Sequence, residues 1–394
     1  MSTYIDPLMP LIVLVAFSIF ALNSLLKYIK VPSVITYILT GIVLGPYVLN
    51  VLQNTPTMAL LADLGVTMLL FFIGMEISLD KLLKNWKVSF IGTTLQVIVS
   101  VAIMFLLGFY LNWPVGRIIL LGFVISLSST AVILKILEAD GKQSSKRMQN
   151  ILGILVVQDI IAIPMIIILG FFSSAGFNPI LFTTQIFGIL LLSLLIAYIV
   201  KKKEIRLPFF NSVKHDPELQ VFTALGLCFG FALITSLLGL SAALGSFVAG
   251  VVIASAKESK WVSKSLSPFY VVLLAIFFIS IGVIIDISFV LENWQIIFLL
   301  TLIAFIVNIV IGYVVLRYLK VNKQDSFYIA LLLSHIGEFS YVLAALGQSN
   351  QMISDYGYNL IISMISLSLI ISPFLVIGYK KVLLLIHKKD ILLK

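Results

Sequence analysis

The chain has 394 residues, of which 61% are hydrophobic and 11% charged, and this composition excludes a soluble globular protein. Its formal net charge of +9 does not indicate nucleic-acid binding, because the basic residues are spread over short connecting segments. The single cysteine, Cys228, excludes an intrachain disulfide framework and a cysteine-rich metal site. The composition therefore predicts an all-α polytopic membrane protein, embedded in lipid and without a nucleic-acid partner.

Thirteen apolar segments are each suited to cross a bilayer as a helix. They lie approximately at residues 8–27, 34–50, 58–77, 88–110, 115–137, 149–172, 180–200, 218–237, 240–256, 268–285, 294–318, 325–347 and 356–384. No basic region or small-residue cleavage site accompanies the first segment, so we expect it to be retained as a membrane span. We expect residues 1–394 to form one membrane transport domain with no soluble regulatory domain in the chain.

Basic residues alternate between successive connections. Of the 26 lysines and arginines, 25 lie in or beside the connections after odd-numbered spans or near the chain end, with Lys135 at the end of the fifth span, and Arg117 is the exception. The positive-inside rule then places the N-terminus outside and the C-terminus in the cytoplasm. We expect a multi-pass protein of the cell (inner) membrane.

Two parts of the chain, approximately 31–172 and 238–384, resemble each other. Matching features recur at offsets of 206 to 209 residues: Gly41 with Gly250, Phe71–Ile73 with Phe277–Ile279, the polar run from Ser126 with that from Ser334, and Pro164 with Pro373. The copies begin an odd number of spans apart, so the second copy is inverted in the membrane. Inverted repeats are typical of secondary transporters, whose ions bind near the bilayer midplane.

Asp159 lies inside the apolar run ILGILVVQDIIAIPM, residues 151–165. A charged residue at the centre of a membrane helix costs about 2.5–3.5 kcal/mol on insertion scales. A structural acid paired with a base or hydroxyl is one interpretation, but we favour a functional carboxylate. At an offset of 209 residues Asp159 aligns with Ser368, so the second copy retains a polar group there without the charge.

Other polar side chains are predicted at the same depth, in the middle of the fifth and twelfth spans. The fifth contains Ser128, Ser129 and Thr130, and the twelfth contains His335 and Glu338. Hydroxyls inside membrane helices usually serve helix packing. Their occurrence at corresponding positions of both repeats favours broken helices, whose ends offer carbonyl groups and N–H dipoles to an ion.

Four polar residues are candidates for the ion pathway, and three of them have a second interpretation. Glu338 is either a second titrating group or a cap of a half-helix, and His335 is either part of the ion pathway or a neutral interior histidine. Asp63 lies near the outer end of the third span and lines either an entrance or a solvated face. Asn308 is the one polar residue in the middle of the eleventh span and is a pathway candidate.

The expected motifs of common enzymes are absent. The sequence contains no HExxH, GxSxG or Walker A pattern, and the three histidines, His215, His335 and His387, do not cluster. An intramembrane aspartyl protease would need two catalytic aspartates in apolar spans, and only Asp159 qualifies. We expect neither an enzyme nor a resident cofactor or structural metal.

Several segments resemble the cation:proton antiporter superfamily, in particular its Kef-type branch of potassium/proton exchangers. They are VPSVITYILTGIVLGP (31–46), LADLGVTMLLFFIGMEISLDKL (61–82), SLSSTAVILKIL (126–137), VVQDIIAIP (156–164), LSAALGSFVAGVVIA (240–254), FFISIGVIIDIS (277–288) and HIGEFSYVL (335–343). The resemblance implies a homodimer of thirteen-span protomers. It also implies a mobile core in which the fifth and twelfth spans are unwound and cross, with the binding aspartate on the sixth.

The sequence departs from that family in three respects. Gln158-Asp159 replaces the two acids or Asn-Asp of sodium-type relatives, which favours electroneutral one-for-one exchange. Asn308 replaces a basic residue found in many relatives. The chain shows no nucleotide-binding regulatory domain of the Kef kind after its last span, and the loop 256–269 is basic where Kef proteins have an acidic regulatory stretch, so we do not expect glutathione-type gating. Such a regulatory domain is either absent, on a separate cytosolic subunit, or outside residues 1–394.

We therefore hypothesise alternating access in which a proton and a monovalent cation compete for Asp159. Gln158, Ser128, Ser129 and Thr130 would coordinate the cation or orient the site. Potassium is the expected cation, with sodium as the alternative. A cation channel is the alternative from another class, although one aspartate per protomer makes a poor selectivity ring.

Overall fold

The computed structural model describes residues 8–27, 33–53, 55–76, 86–138, 146–172, 179–202, 213, 216–240, 242–255 and 260–392. These residues contain helices and connecting turns but no strand. The basic segments 28–32, 77–85, 139–145, 203–212 and 256–259 lie outside the described residues. The predicted orientation of the termini therefore stays a prediction.

The helices follow the apolar segments of the sequence. In chain order they are α1 (Leu8–Lys27), α2 (Ser33–Leu44), α3 (Pro56–Glu76), α4 (Gly92–Tyr110, preceded by a π-helical turn Lys87–Ile91), α5 (Val115–Ser126), α6 (Thr130–Glu138), α7 (Lys146–Gly170), α8 (Pro179–Lys202), α9 (Pro217–Leu237), α10 (Ala242–Ala254), α11 (Lys260–Ile284), α12 (Ile287–Glu292), α13 (Trp294–Tyr318), α14 (Lys323–Leu332), α15 (Phe339–Ser349) and α16 (Asp355–Leu392).

The predicted fold class is confirmed: the protein is an all-α polytopic membrane protein. Seven of the described helices are long and apolar enough to cross a membrane, and shorter apolar helices accompany them. Large apolar side chains such as Phe17, Phe20 and Phe109 are exposed on the helix surfaces, as expected for surfaces in contact with lipid.

The fifth and twelfth predicted spans are broken helices. The fifth consists of α5 and α6, which are separated by residues 127–129, and the twelfth consists of α14 and α15, which are separated by residues 333–338. The second span ends as a helix at Leu44, earlier than predicted. The chain then turns back, with Asn50 at a φ of 51°, so that the N–H groups of Val51 and Leu52 donate to the Leu44 carbonyl oxygen. Pro164 and Pro373 lie within continuous helices and break neither of them.

The chain forms two compact units. The first contains Met1–Gln53, Lys87–Ser174 and Ile281–Lys394, and thus both broken helices and α7. The second contains Asn54–Trp86 and Ala175–Ser280. Its core joins α3, α9, α10 and α11 through buried side chains, among them Phe71, Cys228 and Leu266, and Phe72 stacks on Tyr270 with ring centroids 4.6 Å apart.

Two close helix crossings reflect the internal repeat. In the first unit a Cβ on Gly282 would lie 2.8 Å from the Cα of Gly41, and in the second a Cβ on Gly250 would lie 2.9 Å from the Cα of Gly74. Gly41 and Gly250 are 209 residues apart, and Gly74 and Gly282 are 208 apart. The repeat thus maps one glycine crossing onto the other. Small residues let membrane helices approach this closely.

Candidate functional site

The unwound segments of the two broken helices cross and bond to each other. The backbone N–H of Gly337 donates to the carbonyl oxygen of Leu127 at 2.8 Å, and the Ser128 hydroxyl donates to the carbonyl oxygen of Leu333 at 2.6 Å. A Cβ on Gly337 would lie 2.6 Å from the Ser128 carbonyl oxygen, so a larger residue would push the segments apart. The crossing is therefore a tight contact between two non-helical backbones.

Amide side chains from neighbouring helices donate hydrogen bonds to carbonyl groups that lose their intrahelical partners at the helix breaks. The carbonyl oxygen of Ser126 accepts from Gln96 Nε2 and from Gln158 Nε2, each at 3.3 Å. The carbonyl oxygen of Ser334, 208 residues later in the chain, accepts from Asn308 Nδ2 at 3.0 Å. Such partners are required because unwound backbone in a membrane is tolerated only where protein or water satisfies it.

Asp159 faces the start of the half-helix α6. Its side chain is buried, with 8% of its surface exposed, and both carboxylate oxygens lie 3.2 Å from Thr130 Oγ1. Thr130 is the first residue of α6, where the N–H groups carry the positive end of the helix dipole. A hydroxyl and a helix N-terminus stabilise the charged form of the carboxylate but do not neutralise it.

Gln158 braces the first break. Its Oε1 accepts from the backbone N–H of Ser128 at 3.3 Å while its Nε2 donates to the Ser126 carbonyl oxygen. The amide oxygen and the amide nitrogen thus both bond backbone groups. The orientation of the amide follows from these partners, since a flipped amide would place donor against donor.

His335 connects the second break to the first. Its Nε2 accepts from the backbone N–H of Ser129 at 3.3 Å, and its Nδ1 lies 3.0 Å from the Ser372 hydroxyl on α16. The ring is fully buried. An accepting Nε2 requires the neutral tautomer with its proton on Nδ1, so the contacts match the interpretation as a neutral interior histidine.

Ser129 serves the start of α6 as well. Its hydroxyl accepts from the backbone N–H of Val132 at 3.3 Å, the bond expected of a residue that caps a helix N-terminus.

At the second break the backbone N–H of Ile336 donates to the hydroxyl of Ser368 at 3.1 Å. Ser128 and Ile336 are 208 residues apart, so the repeat places a side-chain acceptor from the following span at both breaks.

Glu338 precedes the half-helix α15 and is buried, with 4% of its surface exposed. It lies close enough to Asp159 for the two carboxyl groups to interact electrostatically. The position matches the predicted half-helix terminus, although Glu338 does not accept a capping hydrogen bond from the first turn of α15.

The remaining two candidates are Asn308 and Asp63. Asn308 is buried in α13 and holds the Ser334 carbonyl. Asp63 belongs to the second unit and lines a mainly apolar cavity of about 430 Å³ between α3, α9 and α10. The structure thus bonds Thr130 to Asp159. The side chains of Ser128, Gln158, His335 and Asn308 bond the unwound backbone, and that of Ser129 caps α6.

Some residues of this network were not predicted. Gln96 and Ser372 were missed, although a polar side chain inside an apolar span is a readable signal in each case. Ser368 was noted as the counterpart of Asp159, but its bond to Ile336 was not foreseen. Their roles depend on which backbone groups the breaks leave unpaired, and the sequence does not show this.

Comparison with known proteins agrees with this architecture. The chain matches the family described as "Sodium/hydrogen exchanger, transmembrane" over residues 12–377. The chain belongs to this sodium/hydrogen exchanger family. Its members are cation/proton antiporters, so the protein is a transporter at the level of its family.

Individual relatives of the chain carry different names. It is 33% identical over 361 residues to the iron transporter MagA of Paramagnetospirillum magneticum, covering 92% of this chain and 83% of MagA. It is 27% identical over 350 residues to the glutathione-regulated potassium-efflux system protein KefC of Escherichia fergusonii, covering 88% of this chain and 56% of KefC. The Kef-type resemblance is therefore confirmed, with a match to little more than half of KefC.

A solved structure shares the fold of this exchanger. The sodium proton antiporter MjNhaP1 of Methanocaldococcus jannaschii superposes with a TM-score of 0.69, covering 96% of this chain and 99% of that one. The two sequences are 16% identical, so the likeness concerns the fold alone.

Proposed function

We propose that the protein exchanges one monovalent cation for one proton across the membrane and that Asp159 binds either of them. The observation that supports this most directly is the buried carboxylate of Asp159 beside two broken helices, bonded to a hydroxyl and lacking a basic partner in the described residues. Burial in a medium of low dielectric disfavours an uncompensated charge. A proton or a cation removes that charge, and both cannot do so at once.

Competition at one site is sufficient to couple the two fluxes. When a bound proton or cation neutralises Asp159, the mobile core that carries it crosses the membrane barrier at a tolerable electrostatic cost. When the site is empty and Asp159 is charged, the core does not cross. Each cation that leaves is replaced by one proton, so no net charge moves. The direction of transport is then set by the cation and pH gradients and not by the membrane potential.

Thr130 is proposed to contribute directly to the bound ion, through its hydroxyl beside Asp159. Ser128, Ser129 and Gln158 are proposed to orient the site, since the side chains of Ser128 and Gln158 bond the unwound backbone and that of Ser129 caps α6. Backbone carbonyl groups near the crossing would complete the coordination of a partly dehydrated cation.

Potassium is the proposed cation, on the strength of the similarity to KefC, and sodium is the alternative within the same fold. The name of MagA raises iron as a further substrate. We favour a monovalent ion because the described residues contain no group of three or more His, Cys, Asp or Glu side chains suited to a metal ion. No cofactor besides the transported ions is proposed.

The proposed setting follows from the same reasoning. We propose a homodimer in the cell (inner) membrane, surrounded by lipid, with the N-terminus outside and the C-terminus in the cytoplasm. A separate cytosolic subunit is the proposed source of any regulation of the Kef kind.

Exchange in proteoliposomes tests the proposal. A pH dye trapped inside reports proton movement after potassium, sodium or ferrous salts are added, with and without a clamped membrane potential. We expect potassium to move protons, no effect of the clamp, and no exchange by Asp159→Asn. Glu292→Gln, which removes an exposed carboxylate on α12, is the matched control and should behave like the parent.

The alternatives predict other results. Exchange with sodium alone would keep the mechanism and change the ion, and exchange with iron alone would exclude a monovalent substrate. A cation current without proton movement would favour the channel. Full activity of Asp159→Asn would overturn Asp159 as the shared site.

A further inference from the structure

The cavity within the second unit contains a carboxyl group that the proposed exchange does not use. Asp63 of α3 lines this cavity, which has a volume of about 430 Å³ and lies between α3, α9 and α10. Pockets of roughly 300–1,000 Å³ typically bind small molecules. All three helices belong to the second unit, whereas Asp159 and both broken helices belong to the first. The cavity is therefore a candidate site of its own.

The walls of the cavity are apolar. Leu60 and Leu64 of α3 line it together with Phe229 and Leu233 of α9. Leu60 is 65% exposed and Leu233 is 60% exposed. Large apolar side chains that a membrane protein leaves exposed are suited to contact with lipid or with an apolar ligand. We therefore expect an occupant of the cavity to have an apolar body and to enter it from the bilayer.

The carboxylate of Asp63 is not compensated within the described part of the chain. There it takes part in no ion pair and no side-chain hydrogen bond, and the described residues that line the cavity include no lysine, arginine or histidine. Asp63 is the eighth residue of α3, about 10 Å along the helix axis from Pro56. A charge at such a depth in an apolar span is costly unless it is paired. A cationic group on the occupant would provide the partner.

Two hydroxyl groups favour an ammonium group over a metal ion. Thr67 Oγ1 donates to the carbonyl oxygen of Asp63 and Ser236 Oγ to that of Ala232, each at 2.8 Å, so each hydroxyl retains only its capacity to accept. Both residues line the cavity. A metal ion bound by oxygen atoms usually takes about six or more of them, which exceeds what this apolar lining offers. A primary ammonium group donates three hydrogen bonds, and one carboxylate and two hydroxyl oxygens are suited to accept them.

We propose that this cavity binds a lipophilic primary monoamine, with its ammonium group on Asp63 and its apolar body against Leu60, Phe229 and Leu233. One positive charge matches one carboxylate. The headgroup of phosphatidylethanolamine carries the same ammonium group together with a phosphate, and none of the described lining residues is a base that would pair with that phosphate. A monoamine therefore fits the cavity better than this lipid. The inference does not depend on the proposed exchange at Asp159.

Photolabelling of the protein in phosphatidylcholine vesicles tests the site. The probe is dodecylamine with a diazirine in its alkyl chain, and mass spectrometry identifies the labelled peptides. We expect the label to concentrate on residues 60–67 and 229–236, which contain the cavity lining of α3 and α9. Excess unlabelled dodecylamine should suppress this labelling. Dodecanol, which has the same chain without the charge, should not suppress it.

Variants of Asp63 test the role of the charge. Asp63→Asn keeps the size of the side chain, and labelling of the two segments by subsaturating probe should fall about tenfold or more, because hydrogen bonds between charged groups are stronger than those between neutral groups. Asp63→Glu retains the carboxylate and should retain most of the labelling. Glu292→Gln removes an exposed carboxylate of the first unit and is the matched control, which should be labelled like the parent.

Three results would overturn the inference. Even labelling of the parent over its lipid-exposed helices, including α1 around Phe17, would show that the probe only partitions into the bilayer, and this result requires no variant to fold. Equal labelling of the two segments in the parent and in Asp63→Asn would show that the carboxylate does not hold the amine. Suppression of the labelling when phosphatidylethanolamine replaces part of the phosphatidylcholine would identify a lipid headgroup as the occupant instead of a monoamine.

Discussion

Thr130 holds Asp159 from the first residue of α6, with its hydroxyl oxygen 3.2 Å from both carboxylate oxygens. Hydrogen bonds to charged groups contribute about 1.5–3 kcal/mol. The bond favours the charged form of Asp159, the form that accepts a cation. Thr130 therefore affects the competition between a proton and a cation for Asp159.

Replacing Thr130 by Val should move the acidic limb of cation/proton exchange to higher pH by about one unit, because one pH unit corresponds to about 1.4 kcal/mol. Without the hydroxyl, protons outcompete the cation at lower proton concentrations. The measurement is the initial rate of exchange in proteoliposomes between pH 5 and 9. Thr130→Ser keeps the hydroxyl and should follow the parent, and an unshifted limb in Thr130→Val would show that the bond does not affect the competition.

Gln158 should act as a brace of the unwound backbone. Gln158→Leu leaves the Ser128 N–H without its acceptor, so we expect a loss of stability of about 1–3 kcal/mol and slower exchange. The ratio of potassium to sodium transport should stay unchanged. Thermal unfolding in detergent and competition between the two ions measure these effects. A changed ion preference at unchanged stability would instead make Gln158 a ligand of the ion.

His335 should stabilise the crossing through its accepting Nε2. His335→Leu buries the Ser129 N–H without that acceptor and should lower stability by about 1–3 kcal/mol. His335→Gln retains an acceptor oxygen and should recover part of the loss. Thermal unfolding of the parent and the two variants measures these changes in stability. Equal melting temperatures for the parent and His335→Leu would contradict the stabilising role of His335.

The glycine crossings should be sensitive to a single methyl group. Gly282→Ala and Gly250→Ala force the backbones of paired helices apart, and overpacking of this kind typically costs about 1–3 kcal/mol. Gly226→Ala is the matched control, because no atom lies within 4 Å of its added Cβ. In the middle of α9 it should be neutral or stabilising, since alanine favours a helix by about 1 kcal/mol over glycine. Comparable melting temperatures for all three variants would show that the helices adjust without cost.

The sequence by itself determined the class of the protein. A bilayer admits only helices and closed barrels, so the succession of apolar segments predicts the helices, and the offsets near 208 residues predict the repeat. Asp159 was recognisable because a charge inside an apolar run is costly enough to be rare. Hydroxyls at corresponding places in two spans predicted the helix breaks.

Only the tertiary structure decided the roles of the polar residues around Asp159. Thr130 meets the carboxylate, whereas Ser128, Ser129 and Gln158 bond the backbone, although all four are polar residues at one depth of the membrane. A hydroxyl or an amide bonds whichever unpaired group lies nearest. Which groups are unpaired depends on where the helices unwind and how the breaks cross, and these contacts join residues about 30 to 210 positions apart.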